Sequence, residues 1–348
     1  MYALLFADTG LSPAQISSLF VLWSVTGVVL EVPSGVLADR VSRRLLLVLA
    51  PLVIGAGFAL WTFVPSYPAF AAGFVLWGAG SAMRSGTLQA LVYEELARTG
   101  RQDAYTRLLG RSVALGTIAT MVAGALAAPA HALGGYQALG VASVAVCVLG
   151  AAVARTLPES RAGEPSSTQV LRHGLAQVRR SPHVLRALVI VSVVSGVTAL
   201  DEYLPLLVKG TGVATSVVPL FEVMVTAAMT VGGWYAGRGS RAAGPVLALG
   251  ALGMAAGAAT GSPAGFVPVA VAFGVFQWAM IAAEARLQDG IDDGARATVT
   301  SMAGLGGEAV AVLTFAGYAL GSVWAAPRLI FVVAAVPYLV IAVGLRRG

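Results

Sequence analysis

Apolar runs of about 20 residues recur along almost the whole chain, separated by short polar breaks. A helix rises about 1.5 Å per residue, so each run is long enough to cross a hydrocarbon core of about 30 Å. The pattern predicts complete spans near 15–37, 45–64, 69–92, 108–128, 136–154, 186–208, 215–237, 244–261, 264–285, 299–323 and 327–345. Met1–Ala7 reads as the outer end of one more helix, whose remainder either lies upstream of Met1 or is absent from the protein. A membrane β-barrel would show short alternating segments instead. The expected fold is an all-α integral membrane protein with eleven complete helices and a fragment of another.

One break differs from the rest. Residues 155–185 carry Pro158, Pro165 and the cluster Ser166-Ser167-Thr168, so the segment begins as a linker. Val170, Leu171, Leu175 and Val178 then recur at near-helical spacing among Arg172, Arg179 and Arg180. That predicts a short amphipathic helix on the inner membrane surface. The chain is thereby divided into an N-terminal bundle (1–154), a cytoplasmic linker (155–185) and a C-terminal bundle (186–348).

Composition supports the bilayer. Charged residues make up 11% of the chain and hydrophobic ones 57%, against about 25% charge in soluble domains. A net charge of +6 could suggest nucleic acid, but the arginines lie scattered over short loops between spans. Arg40, Arg43, Arg44, Arg98, Arg155, Arg238, Arg286 and Arg346 all fall on one face of the predicted topology, while Lys209 and Arg328 fall on the other. The positive-inside rule makes the first face cytoplasmic, so the C-terminus is expected inside the cytoplasmic membrane. The 42 glycines lie largely inside the apolar runs, where small residues let helices approach closely. A single Cys147 excludes an intrachain disulfide. His131, His173 and His183 fall in loops or the linker, so no metal cluster is expected. No phosphate loop and no nucleophile–base arrangement is visible, so neither an enzyme nor a cofactor is expected.

The densest charge lies in Gly35-Val36-Leu37-Ala38-Asp39-Arg40-Val41-Ser42-Arg43-Arg44, directly between two apolar runs. It reads as a short charged hairpin at a membrane face. The stretch resembles the loop between the second and third helices of the major facilitator superfamily, with Ser42 in place of that pattern's second Gly. Gly233–Arg241 repeats it weakly at a constant offset, pairing Gly35 with Gly233, Arg40 with Arg238 and Arg43 with Arg241, while Gly237 stands opposite Asp39. Two related halves point to a transporter with its site between them near the midplane. Arg84–Leu96 is similar to the fourth-helix exit of bacterial drug-exporter-like members, and Arg296–Met302 to the start of helix eleven. The Gly-Pro-Gly-Gly-like exporter pattern of helix five is represented only by Gly116 and Gly124, without the proline.

The resemblance implies a conformational latch. Gly35 permits close helix contact, Asp39 meets the start of helix eleven near Arg296–Thr300, and Arg40 and Arg43 add charge pairing. A carboxylate at a helix N-terminus is favoured by about 0.3–1 kcal/mol. The plainer reading is that the arginines only set topology.

Charges inside spans cost about 2.5–3.5 kcal/mol each at a helix centre on insertion scales. Glu31 and Arg84 lie at matched depth and are expected to pair, either locking the first bundle or releasing Arg84 when Glu31 is protonated. Glu308 is the deepest carboxylate, about 13 Å into its span. It is flanked by Gly304, Gly306 and Gly307, which are expected to bury it against a neighbouring helix. It is the leading proton-site candidate. Glu222, Asp201 and Glu202 are expected to line a solvated external vestibule. Gln277, Trp23, Trp77, Trp278 and Met280 could contribute to an apolar cavity or simply pack.

The expected activity is proton-coupled export of a small, fairly apolar or cationic compound by alternating access, by a monomer in the lipid bilayer with no nucleic-acid partner. Uptake or facilitated movement of a metabolite is the alternative. A truncated, non-transporting membrane protein is the third reading.

Overall fold

The computed structural model describes residues 1–85, 87–158, 181–236, 242–291 and 296–346; the side chains of 32, 34–40, 106, 182, 296–298, 345 and 346 are outside that description. The described chain is helical: α1 (Tyr2–Asp8), α2 (Pro13–Arg40), α3 (Arg43–Phe63), α4 (Tyr67–Arg84), α5 (Thr87–Arg98), α6 (Tyr105–Ala154), α7 (Pro182–Thr198), α8 (Leu204–Lys209), α9 (Val218–Trp234), α10 (Ala243–Ala259), α11 (Phe266–Asp289), α12 (Arg296–Gly321), α13 (Pro327–Val333) and α14 (Ala335–Arg346). The amphipathic linker helix expected from Val170–Val178 falls outside the described residues.

Eight described stretches are long and apolar enough to cross a membrane. One of them, α6, holds two predicted spans end to end, parted by non-helical Gly134 and Gly135. Gly135 has φ 60° and ψ −153°, a region open essentially to glycine alone. The span predicted at 69–92 is broken into α4 and α5, and the span at 244–261 is the 17-residue α10.

By contacts the chain divides into two compact units, one of Asp8–Leu11 and Ser18–Ser166, the other of Met1–Ala7, Ser12–Ser17 and Ser167–Gly348. In the first unit α3 packs against α4 and α6. The α3–α4 contact is close because a Cβ on Gly57 would lie 2.8 Å from the Gly73 carbonyl oxygen. Trp61, 4% exposed, reaches over Gly73 and donates its indole N–H to the Phe70 carbonyl at 3.1 Å. Around it Phe58, Phe74, Trp77 and Trp23 form one aromatic cluster, with Trp23 and Trp77 centroids 5.1 Å apart. Aromatic side chains bury large areas, so this cluster holds α2, α3 and α4 together.

In the second unit the tightest contacts are α9 with α11 and α7 with α12. Gly232 lies against Gly274, and Gly196 against Gly307 and Val310, so backbones meet directly. Without a hydrophobic drive between helices in lipid, such close packing and polar cross-links hold them. Thr314 donates its hydroxyl to the Gly196 carbonyl at 3.1 Å, and Ser192 donates to the Ala303 carbonyl at 3.3 Å.

Candidate functional site: polar groups at bilayer depth

The charged hairpin is tighter than the loop expected from its sequence. α2 continues to Arg40 and α3 begins at Arg43, leaving only Val41 and Ser42 between them. Ser42 stands where the superfamily pattern has glycine, and it caps α3: its Oγ accepts a hydrogen bond from the Leu45 N–H at 3.0 Å. The side chains of Asp39, Arg40 and Arg296, and the site of Gly35, lie outside the described side chains, so the expected latch contact does too. Arg43 is described. Its guanidinium meets Glu94 of α5 at 2.5 Å, with both side chains less than a fifth exposed. The pair joins two segments that the sequence shows separately, the hairpin and the Arg84–Leu96 stretch.

Glu31 and Arg84 are drawn to the same level. Ser85 donates its hydroxyl to Glu31 Oε1 at 3.2 Å, so the described contact involves the neighbour of Arg84. No Glu31–Arg84 ion pair occurs among the described residues. Arg84 is the last residue of α4, where a cation complements the partial negative charge of the helix end. The break follows at once, with Ser85 at φ −57° and ψ 126°. Both Glu31 and Arg84 are exposed.

The burial expected of Glu308 is corrected by the structure: the residue is exposed. The helical period is the reason. Gly306 and Gly307 turn toward Ser192 and Ser195 of α7, as expected of crowding glycines. Successive residues differ by about 100° around a helix, so Glu308 turns away from that contact. It shares a face with Gly304, beside which nothing lies within 4 Å.

The carboxylates expected in a solvated vestibule are more enclosed than that expectation. Asp201 and Glu202 sit in a 3-10 turn, Ala199–Tyr203, between α7 and α8, and both are half-buried. Tyr2 donates its hydroxyl to Glu202. Beside them lie tyrosines that the apolar pattern does not single out. Tyr203 shares a hydrogen bond of 2.7 Å with Ser17 and stacks on Tyr318 with centroids 3.5 Å apart. Tyr338 stacks on Phe276 at 3.7 Å and bonds Thr198. Their one sequence signal is a phenol inside an apolar run, which needs a polar partner when buried.

Of the cavity candidates, Gln277 is half-buried in α11 between buried Phe276 and Trp278. Trp278 donates its indole N–H to the Tyr235 carbonyl at 3.1 Å, and Trp23 belongs to the aromatic cluster of the first unit. Among the described residues no group of His, Cys, Asp and Glu could hold a metal ion.

A sequence profile described as Major Facilitator Superfamily matches residues 1–315. Among solved structures, the nucleoside transporter NupG is similar at 15% identity with a TM-score of 0.74, over 99% of this chain and 92% of that one. A point mutant of NupG aligns with a TM-score of 0.78 at 13% identity, over 99% and 93% of the two chains. A bacterial homologue of the human lysosomal transporter Spinster, inward-facing and unoccupied, is 16% identical with a TM-score of 0.72, over 99% and 94%. At these identities the likeness speaks for the fold. No curated protein sequence matches significantly. With a profile match over most of its length and a helical fold shared end to end with known transporters, the chain belongs to the major facilitator superfamily.

Proposed function

We propose that the protein is a proton-coupled secondary transporter that exports a small organic molecule across the cytoplasmic membrane, its N-terminal (1–154) and C-terminal (186–348) bundles rocking in alternating access. It works as a monomer with its C-terminus inside. The observation that carries the reading is Glu308: a carboxylate, exposed on its helix, twelve residues beyond Arg296 at the start of α12. That is about 18 Å along the axis. Lipid is a poor surrounding for such a group, so it fits a water-filled path and can take up and release a proton there. Gln277, Trp23 and Glu222 are the substrate-cavity candidates, and Glu31 and Arg84 are two further intramembrane charges.

Gly35, Asp39, Arg40 and Arg43 complete the mechanism as the latch. Asp39→Asn is expected to raise the labelling of cysteines placed along the cytoplasmic halves of the spans and to lower it along the outer halves. Unchanged labelling on both sides would remove the latch. Uptake of a metabolite is the second reading, favoured by the missing proline near Gly116 and Gly124 in α6.

Glu308→Gln tests the coupling. In proteoliposomes the variant is expected to lose gradient-driven transport at least about tenfold, equivalent to about 1.4 kcal/mol, while substrate exchange without a gradient continues. Gradient-driven transport at the wild-type rate would exclude Glu308 as the coupling acid.

A further inference from the structure

The described polar groups at bilayer depth differ in whether the protein satisfies them. Glu31 accepts from Ser85, and Glu202 accepts from Tyr2. Arg84 is exposed and has no hydrogen-bond or ion-pair partner among the described residues. Its depth follows from its neighbours. A Cβ on Gly78 would touch Thr26, and Ser85 reaches Glu31, so α2 and α4 run level there. Glu31 lies nine residues before Arg40 at the inner end of α2, about 14 Å along the axis.

A carboxyl or an ammonium at that depth can neutralise itself by gaining or losing a proton. A guanidinium cannot. An exposed, permanent cation well inside the hydrocarbon layer therefore faces water or an anion. The inner end of α6 adds Arg107 and Arg111, one turn apart and exposed, to the same unit. Asp201 and Glu202, which could otherwise attract a cation, are half-buried, and Glu202 is held by Tyr2.

We propose that Arg84 is the substrate anchor and that the substrate is a small organic anion, a carboxylate or phosphate gripped by the guanidinium fork. Arg pairs with such groups through two parallel hydrogen bonds. The position at the end of α4, beside a break in the helix, lets the substrate's charge act on the point where α4 and α5 join. This inference rests on the reading of the chain as a transporter with a water-filled path, and it holds for either direction of transport.

The test is thermal unfolding of the purified full chain, followed by tryptophan fluorescence, with benzoate, phenyl phosphate and tetraphenylphosphonium as probes. The expected result is saturable stabilisation of the wild type by benzoate or phenyl phosphate, lost in Arg84→Gln. Which of the two anions acts tells carboxylate from phosphate. In Arg84→Lys, a point charge without the fork, the apparent affinity falls at least about tenfold; this variant decides the matter if Arg84→Gln does not fold. No stabilisation by either anion, stabilisation by tetraphenylphosphonium alone, or equal affinity in the Arg84 variants overturns the assignment. Anion binding that survives in Glu308→Gln, with no gradient-driven flux even in the wild type, would remove the proton coupling and leave Arg84 in place.

Discussion

Gly232→Ala is expected to destabilise the protein by about 3 kcal/mol or more, at the upper end of overpacking effects. The added Cβ would overlap the Gly274 carbonyl oxygen, a backbone atom that has no rotamer to escape into. Relief requires α9 and α11 to separate, and they form one of the most extensive contacts of the second unit. Gly253→Ala on α10 is the control. Its Cβ would meet only the Pro268 carbonyl oxygen at 3.8 Å, an ordinary contact. Alanine also favours a helix over glycine by up to about 1 kcal/mol, so Gly253→Ala should leave stability unchanged or raise it. Thermal unfolding in detergent separates the two. Equal effects would mean that α9 and α11 do not meet backbone to backbone at Gly232.

Arg43→Ala or Glu94→Ala should each cost about 2 kcal/mol, less than the 3–5 kcal/mol of a fully buried pair because both groups keep some solvent contact. Removing one partner leaves the other charge largely buried without compensation, while removing both removes the conflict. The double variant Arg43→Ala/Glu94→Ala is therefore expected to lose much less than the sum. Arg44→Ala, which deletes the same charge from an exposed position next door, serves as the reference for topology effects. Strictly additive losses for Arg43 and Glu94 would dissolve the pair and leave Arg43 with its topological role alone.

The helices were legible because the bilayer dictates their length. A run of apolar residues matched to the hydrocarbon thickness has one stable outcome in lipid, and the described spans fall where those runs do. Glycine crowding was legible for the same reason, and Gly306 and Gly307 do press on α7. What escaped was direction around a helix. Glu308 is one residue beyond Gly307, and one step of about 100° turned a buried carboxyl into an exposed one. The break between α4 and α5 was hidden in an apolar pattern that a continuous helix would also show. The Arg43–Glu94 pair and the Tyr203–Tyr318 stack join residues 51 and 115 positions apart. They depend on which helices become neighbours, which periodicity alone does not say. Ser42 departs from the hairpin pattern, and the structure gives it a task of its own as the cap of α3.

The proposed function stands on proton-coupled transport through a path that exposes Glu308. Its most direct test is proton-gradient-driven flux in inverted membrane vesicles, with a panel of dyes, drugs and small organic anions, comparing wild type with Glu308→Gln. Wild-type vesicles are expected to accumulate at least one compound, an uncoupler to collapse that accumulation, and Glu308→Gln to abolish it. Flux that ignores the gradient, or a gradient-driven flux that Glu308→Gln leaves intact, would contradict it.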